Sequence, residues 1–201
     1  MTVPGFIEAR RSIRAFTDNT VPRDRIDAWI EAACTAPAPH HSRPWRFVVV
    51  EQEESRRALA DGMGRAWQTD LERDGLAATR VDQLVAASHR KIERAPALVL
   101  GCLTWDGLDR YPDEHRQRAE HGMALLSLGA AVENFMLACA ADGYASCWVA
   151  APIFCPPAAR DALDLPPDWL PHAMVVLGEP DPDYVGRPRP PVPLDDLRRF
   201  V

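Results

Sequence analysis

The sequence predicts an α+β domain with a mixed central sheet flanked by helices. Two observations predict it. Segments with helical spacing and apolar runs of strand length follow one another without a regular βαβ alternation, which argues against a doubly wound fold. Hydrophobic residues make up 47% of the 201 positions, enough for a sizeable core in one domain spanning 1–201.

The elements follow in chain order. "GFIEARRS" (5–12) reads as a first helix and "PRDRIDAWIEAACTA" (22–36) as a second. Pro22 suits a first helical turn; Ile26, Trp29, Ile30 and Ala33 share one face; Pro37 stops the helix. "RFVVVEQ" (46–52) reads as a strand. Residues 55–94 look helical in pieces, with Gly62, Gly64 and Gly75 as breaks. "PALVLGCLTW" (96–105) and "AMVVLGE" (173–179) are of strand length. "YASCWVAAP" (144–152) is a strand or an extended segment.

A long helix over 119–141 ends at Gly143. Its apolar run, "MALLSLGAAVENFMLACAA" (123–141), is nearly long enough to span a bilayer. Glu133 and Asn134 interrupt it, so a buried helix of a soluble protein is expected. Gly129, Ala130 and Ala131 would let another helix approach closely. The tail, about 184–201, crowds prolines into 186–193 and is expected to be an extended arm on its own domain or on a partner.

The net charge of −6 argues against a nucleic-acid or anionic-membrane surface, though local arginines can still hold a small anion. Five cysteines at wide spacings, without a CxxC, point to buried thiols in a reducing cytoplasm rather than to disulfides or zinc. The start, "MTVPGFIEARRS", has no apolar signal core. "GMGRAW" (62–67) lacks the third glycine and the preceding strand of a dinucleotide loop.

Two motifs carry chemistry. "RRSIRAF" (10–16) clusters three arginines and a serine where a helix would end. Arginine offers a planar fork of donors matched to phosphate; the plain alternative is a solvated basic helix end. "PAPHHSRPWRF" (37–47) holds two adjacent histidines. In extended backbone their side chains point to opposite faces, so a shared metal is not expected. With Arg43 they form either a small anion pocket or a polar surface loop.

Taken together, "RRSIRAF" followed after one helix by "APAPHHSRPWRFVVV" resembles the flavin-dependent nitroreductase family. "TAPAPHHSRPWRF", "WQTDLERDGL", "ASCWVAAPIF" and "LDLPPDWLPHAMVVLGEPD" are similar to one branch of it. That branch is the nitroreductase-like C-terminal domain of the bifunctional coenzyme F-420:γ-glutamyl ligase. The ligase half is absent, so γ-glutamyl transfer does not carry over. The resemblance implies a nitroreductase-like fold, an intertwined homodimer and bound FMN. It assigns FMN contacts to Arg10, Arg11, Ser12, Ile13, Arg14, Asp70, Ala150 and Arg189. It puts Ala38 against a deazaflavin, and His40, His41 and Arg43 toward that substrate's anionic tail.

The implied activity is reduction of the side-chain carbon–carbon double bond of dehydro-F-420-0 to F-420-0, by hydride from N5 of reduced FMN. NAD(P)H is a candidate reductant and a separate γ-glutamyl ligase a candidate partner. Two other classes remain open: a broad NAD(P)H-dependent nitro- or quinone reductase, and a non-catalytic protein that binds FMN or F-420.

Overall fold

The computed structural model describes residues 5–186 and 188–201. The opening "MTVP" of the region read for an export signal, and Arg187 in the tail, lie outside the described residues.

Four strands form the sheet: β1 (Trp45–Val49), β2 (Ala97–Leu103), β3 (Ala145–Val149) and β4 (Leu170–Gly178), in the order β1-β2-β4-β3. Every strand pair is antiparallel, where a mixed sheet was expected. The cause is topological. β2 and β3 run the same way, joined by one long helix, but β4 inserts between them. The parallel pairing is thereby replaced by two antiparallel ones. The parallel contact that remains is the isolated bridge between Ser12 and Ser146.

Helices cover both faces, because β2 is apolar on both. Ala97, Val99 and Leu103 join the core under α2 (Arg23–Ala33) and α5 (Glu114–Ala141). Leu98, Leu100 and Cys102 join the core under α3 (Glu53–Arg73), α4 (Ala78–Glu93) and α6 (Pro156–Ala162). The period of two that splits these residues is the strand period. Leu98 and Leu100 are fully buried, each contributing about 1.5–3 kcal/mol.

The helix boundaries refine the sequence reading. α1 covers only Gly5–Ala9, so Arg10 to Arg14 are free to extend. α2 starts after Pro22 and buries Ile26, Trp29 and Ala33, as their spacing predicts. α3 runs unbroken through Gly62 and Gly64, which were expected to interrupt it. These glycines serve close approach instead. A Cβ at Gly62 would stand 3.1 Å from the Ala158 carbonyl oxygen of α6, and one at Gly64 2.4 Å from Nε2 of His89 on α4. Gly75, with φ of +80°, is the break between α3 and α4.

Asp113 caps α5, its side chain accepting from the Arg116 amide, and the chain turns at Gly143 with φ of +81°. By length and composition α5 could cross a membrane. Here Leu128, Val132, Phe135 and Met136 pack on the sheet, and Glu133 pairs with Arg10. Trp29 pins α2 to its end: the indole donates to Asp142 at 2.8 Å and meets the rings of Phe135 and Tyr144. A Cβ at Gly129 would stand 3.9 Å from the Trp148 ring, an ordinary contact with a side chain of β3. Cys102, Cys139 and Cys147 are buried thiols; burial pushes Cys102 up to about 12.

Candidate functional site

The site starts where α1 ends. The Arg10 amide closes the last turn on the Phe6 carbonyl, and the chain then lies against β3, with a tight turn in which the Ile13 amide also meets the Arg11 carbonyl. The Ile13 amide donates to the Ser146 carbonyl at 3.1 Å. β3 is an edge strand, and this segment covers its open edge. The backbone is thereby fixed, and it sets the arginine side chains on one edge of the sheet.

Arg10 pairs with Glu133 of α5 at 3.0 Å. From the far end of the chain, Arg189 donates to the Arg10 carbonyl. Arg10, Arg11, Ser12, Arg14, Tyr184 and Arg189 line one cavity of about 700 Å³. Five of the residues singled out from sequence, 179 positions apart at the extremes, therefore meet in one place. Ile13 lines a smaller adjoining cavity with Tyr144. A chain of net negative charge carries here a cationic cradle with a hydroxyl, the donor set suited to a phosphomonoester.

Cys147 reports on the field behind this cradle. Burial pushes its thiol up, against the pull of Arg14, a hydrogen bond from Ser12, and the charges of Lys91 and Arg10. Lys91, on α4, lines a neighbouring cavity that shares Arg14 with the cradle. Sequence reasoning missed it. The signal was present in "HRKIER", which places Arg90, Lys91 and Arg94 within about one helical turn just before β2.

A second, more apolar cavity of about 550 Å³ is lined by Met63, Trp67, Asp70, Ala151, Phe154 and Cys155, among others. Asp70 projects from α3 and pairs with Arg73 at 3.4 Å. Burial raises the Cys155 thiol, and the Asp70 charge adds to it. Ala150 is exposed and leads into the 3₁₀ turn Ala151–Phe154, its carbonyl accepting from the Ile153 amide at 3.1 Å. Asp70 and Ala151 so come to one cavity, apart from the cradle, with Ala150 the residue before it in the chain. α4 runs from this apolar cavity, which Ser88 lines, to a further cavity that Lys91 and Arg14 line.

An elongated ligand with a phosphate at one end and a planar ring at the other would call on both kinds of lining, cationic and apolar. FMN has that form. Arg10, Ser12, Arg14 and Arg189 would hold its phosphate end, and the apolar cavity would receive the ring.

The loop over 37–43 stands elsewhere. Ala38 lines an open cavity of about 440 Å³ with Pro37, Met123, Leu126, Ser127 and Ala130. Pro39–His41 form a 3₁₀ turn, where extended backbone was expected. His40, His41 and Arg43 adopt left-handed backbone, with φ of 52°, 55° and 49°. Each such L-residue costs about 1–2 kcal/mol, and strain of this kind gathers at functional loops. The three side chains are exposed. They do not meet the arginine cradle within this chain. Among the described residues no three His, Cys, Asp or Glu side chains form a metal site.

The model of the Nitroreductase family matches residues 7–179. Iodotyrosine deiodinase 1 of Rattus norvegicus is 35% identical over 79 residues, covering 33% of this chain and 28% of that enzyme. The chain thus spans under a third of the curated relatives' length. Two solved structures share the fold over nearly the whole chain. A BluB-like flavoprotein from Clostridium difficile 630 matches with TM-score 0.77 and 23% identity, covering 100% of this chain and 99% of that one. The FMN-dependent nitroreductase NfnB from Mycobacterium smegmatis, in complex with NADPH, matches with TM-score 0.72 and 21% identity, covering 98% and 96%.

Proposed function

Because the chain belongs to the nitroreductase family, we propose that it is an FMN-dependent oxidoreductase that reduces the side-chain double bond of dehydro-F-420-0 to F-420-0. The observation that carries the flavin reading is the meeting of Arg10, Ser12, Arg14 and Arg189 around one cavity. The substrate reading is supported by the four stretches that resemble the F-420 ligase's nitroreductase-like domain.

The active form in this account is a homodimer. The substrate loop at 38–43 and the flavin cradle lie apart in one chain, and a second copy would bring them together. Met123 at 41% and Leu126 at 76% exposure, beside that loop, leave apolar surface for the partner. Val192, Leu197 and Phe200 of the arm add more.

Bound and reduced, FMN would supply the hydride, and saturating the alkene also takes one proton. The chain's part is binding and orientation. Arg14 and Arg189 neutralise the cofactor phosphate. Pro37 and Pro39 stiffen the loop, so less freedom is lost on binding. His40, His41 and Arg43 face the carboxylates and phosphodiester of the substrate, and a histidine of the pair or a water delivers the proton. A separate γ-glutamyl ligase would consume the product.

A second reading, a broad NAD(P)H-dependent nitro- or quinone reductase, is favoured by the likeness to NfnB with its NADPH. One experiment separates the two. Anaerobically reduced FMN–protein is mixed with dehydro-F-420-0 and the product weighed by mass spectrometry. A gain of two hydrogens that needs both protein and FMN supports the proposal. No gain with FMN bound, together with steady NADPH-driven turnover of nitroaromatics, selects the second reading.

A further inference from the structure

We propose that a second cationic cavity, bounded by Arg14, Arg56, Arg90, Lys91 and Arg94, is an anion site for the phosphoryl groups of a redox co-substrate bound beside the flavin. The inference rests on the flavin reading above, but its site is separate from the phosphate cradle.

The cavity measures about 870 Å³ and lies between the segment from Arg14 to Thr20, the start of α3 and the end of α4. Among the described residues its cations crowd together without carboxylate partners. Arg10, Arg23, Arg25, Arg46 and Arg57 each meet a carboxylate. Among the described residues, Arg14, Arg90, Lys91 and Arg94 enter no ion pair. The carboxylates at the cavity are Asp18 and Glu93, and Glu93 is drawn to Arg57 at 3.8 Å.

Arg56 adds a donor that lacks a partner. One amino group binds the Glu51 carbonyl at 2.8 Å, while its Nε is buried and unsatisfied. Unpaired like charges repel, and a buried donor without an acceptor is costly; one multiply charged anion relieves both. A phosphoryl group provides that charge with several acceptor oxygens in a geometry arginine matches. The volume suits more than a bare ion. Phe16, Ala95 and Pro96 supply an apolar wall for a sugar or base attached to the phosphate. Arg14 lines both this cavity and the cradle, so the ligand would lie next to the cofactor.

Two ligands of the proposed reaction carry that chemistry: a pyridine-nucleotide donor and the phosphodiester acceptor. The test is calorimetric titration of FMN-loaded protein with inorganic pyrophosphate, comparing wild type with Arg90→Glu and Arg94→Glu, and with the milder Arg94→Gln should a reversed charge prevent folding. The expected result is saturable binding that weakens about tenfold or more in the Glu variants, with FMN affinity unchanged. Pyrophosphate affinity within about twofold of wild type overturns the proposal. So does a parallel loss of FMN, which would make these cations part of the cofactor site. Titrations with NADPH and with dehydro-F-420-0 then identify the source, as whichever ligand weakens in the variants. Intact pyrophosphate binding in a protein that never reduces dehydro-F-420-0 would leave the cavity standing and remove only the substrate assignment.

Discussion

The guanidinium of Arg189 donates a hydrogen bond to the backbone carbonyl of Arg10, tying the tail to a segment 179 residues earlier. Among the described residues the proline-rich segment 188–193 forms no helix, and Leu194–Leu197 beyond it turn into a short one. Arg189 therefore brings charge to the cradle without support from the core. Arg189→Ala is expected to weaken FMN binding about tenfold, the worth of one charge-assisted contact, with little change in thermal stability. Quenching of flavin fluorescence on binding measures the first, and a melting curve the second.

Trp29 holds the scaffold behind this segment, its ring against Tyr144, which lines a cavity with Arg10 and Ile13. It is 1% exposed, and its indole bonds Asp142 where α5 hands over to β3. Trp29→Ala should cost about 3–5 kcal/mol in urea unfolding. Since β3 carries the segment from Arg10 to Arg14, FMN affinity should fall at temperatures where the core remains folded.

The left-handed backbone at His41 and Arg43 makes a different kind of prediction. Glycine adopts that conformation without the Cβ clash. His41→Gly and Arg43→Gly should stabilise the chain by up to about 1 kcal/mol. In the proposed function the same changes raise the KM for the anionic substrate. Gain in stability with unchanged KM would show that the loop's strain serves something else.

His121 gives a pH signature. Burial, and then the neighbouring His172, lowers its pKa from 6.5. Its ring stacks on Trp105, and its Nδ1 is buried without a partner. The unfolded chain binds a proton below pH 6.5 that the folded chain resists. The stabilising contribution is therefore complete above 6.5 and is lost as pH falls through the lower, folded value. Urea midpoints of wild type should drop across that range, and His121→Gln should flatten the drop.

The three-layer architecture was legible because β2 and β4 are apolar on both faces, and only helices on both sides satisfy such strands. The pairing directions were not legible, because nothing in "AMVVLGE" says that it enters between β2 and β3. Gly62 and Gly64 misled because a helix glycine reads alike whether it breaks a helix or admits a neighbour. In the site, Arg10, Ser12, Arg14 and Arg189 were readable from motif resemblance, and they converge. Lys91, Arg90 and Arg94 were not, because a cationic helix end is usually a solvated one. Only the fold sets them against Arg14.

The most direct test is an equilibrium titration of flavin-free protein with FMN and, separately, with riboflavin, which lacks only the phosphate. A cradle built from Arg10, Ser12, Arg14 and Arg189 predicts FMN binding tighter by about a hundredfold or more, with most of that preference lost in Arg14→Ala. Equal affinity for the two, or a preference indifferent to Arg14, would contradict the account.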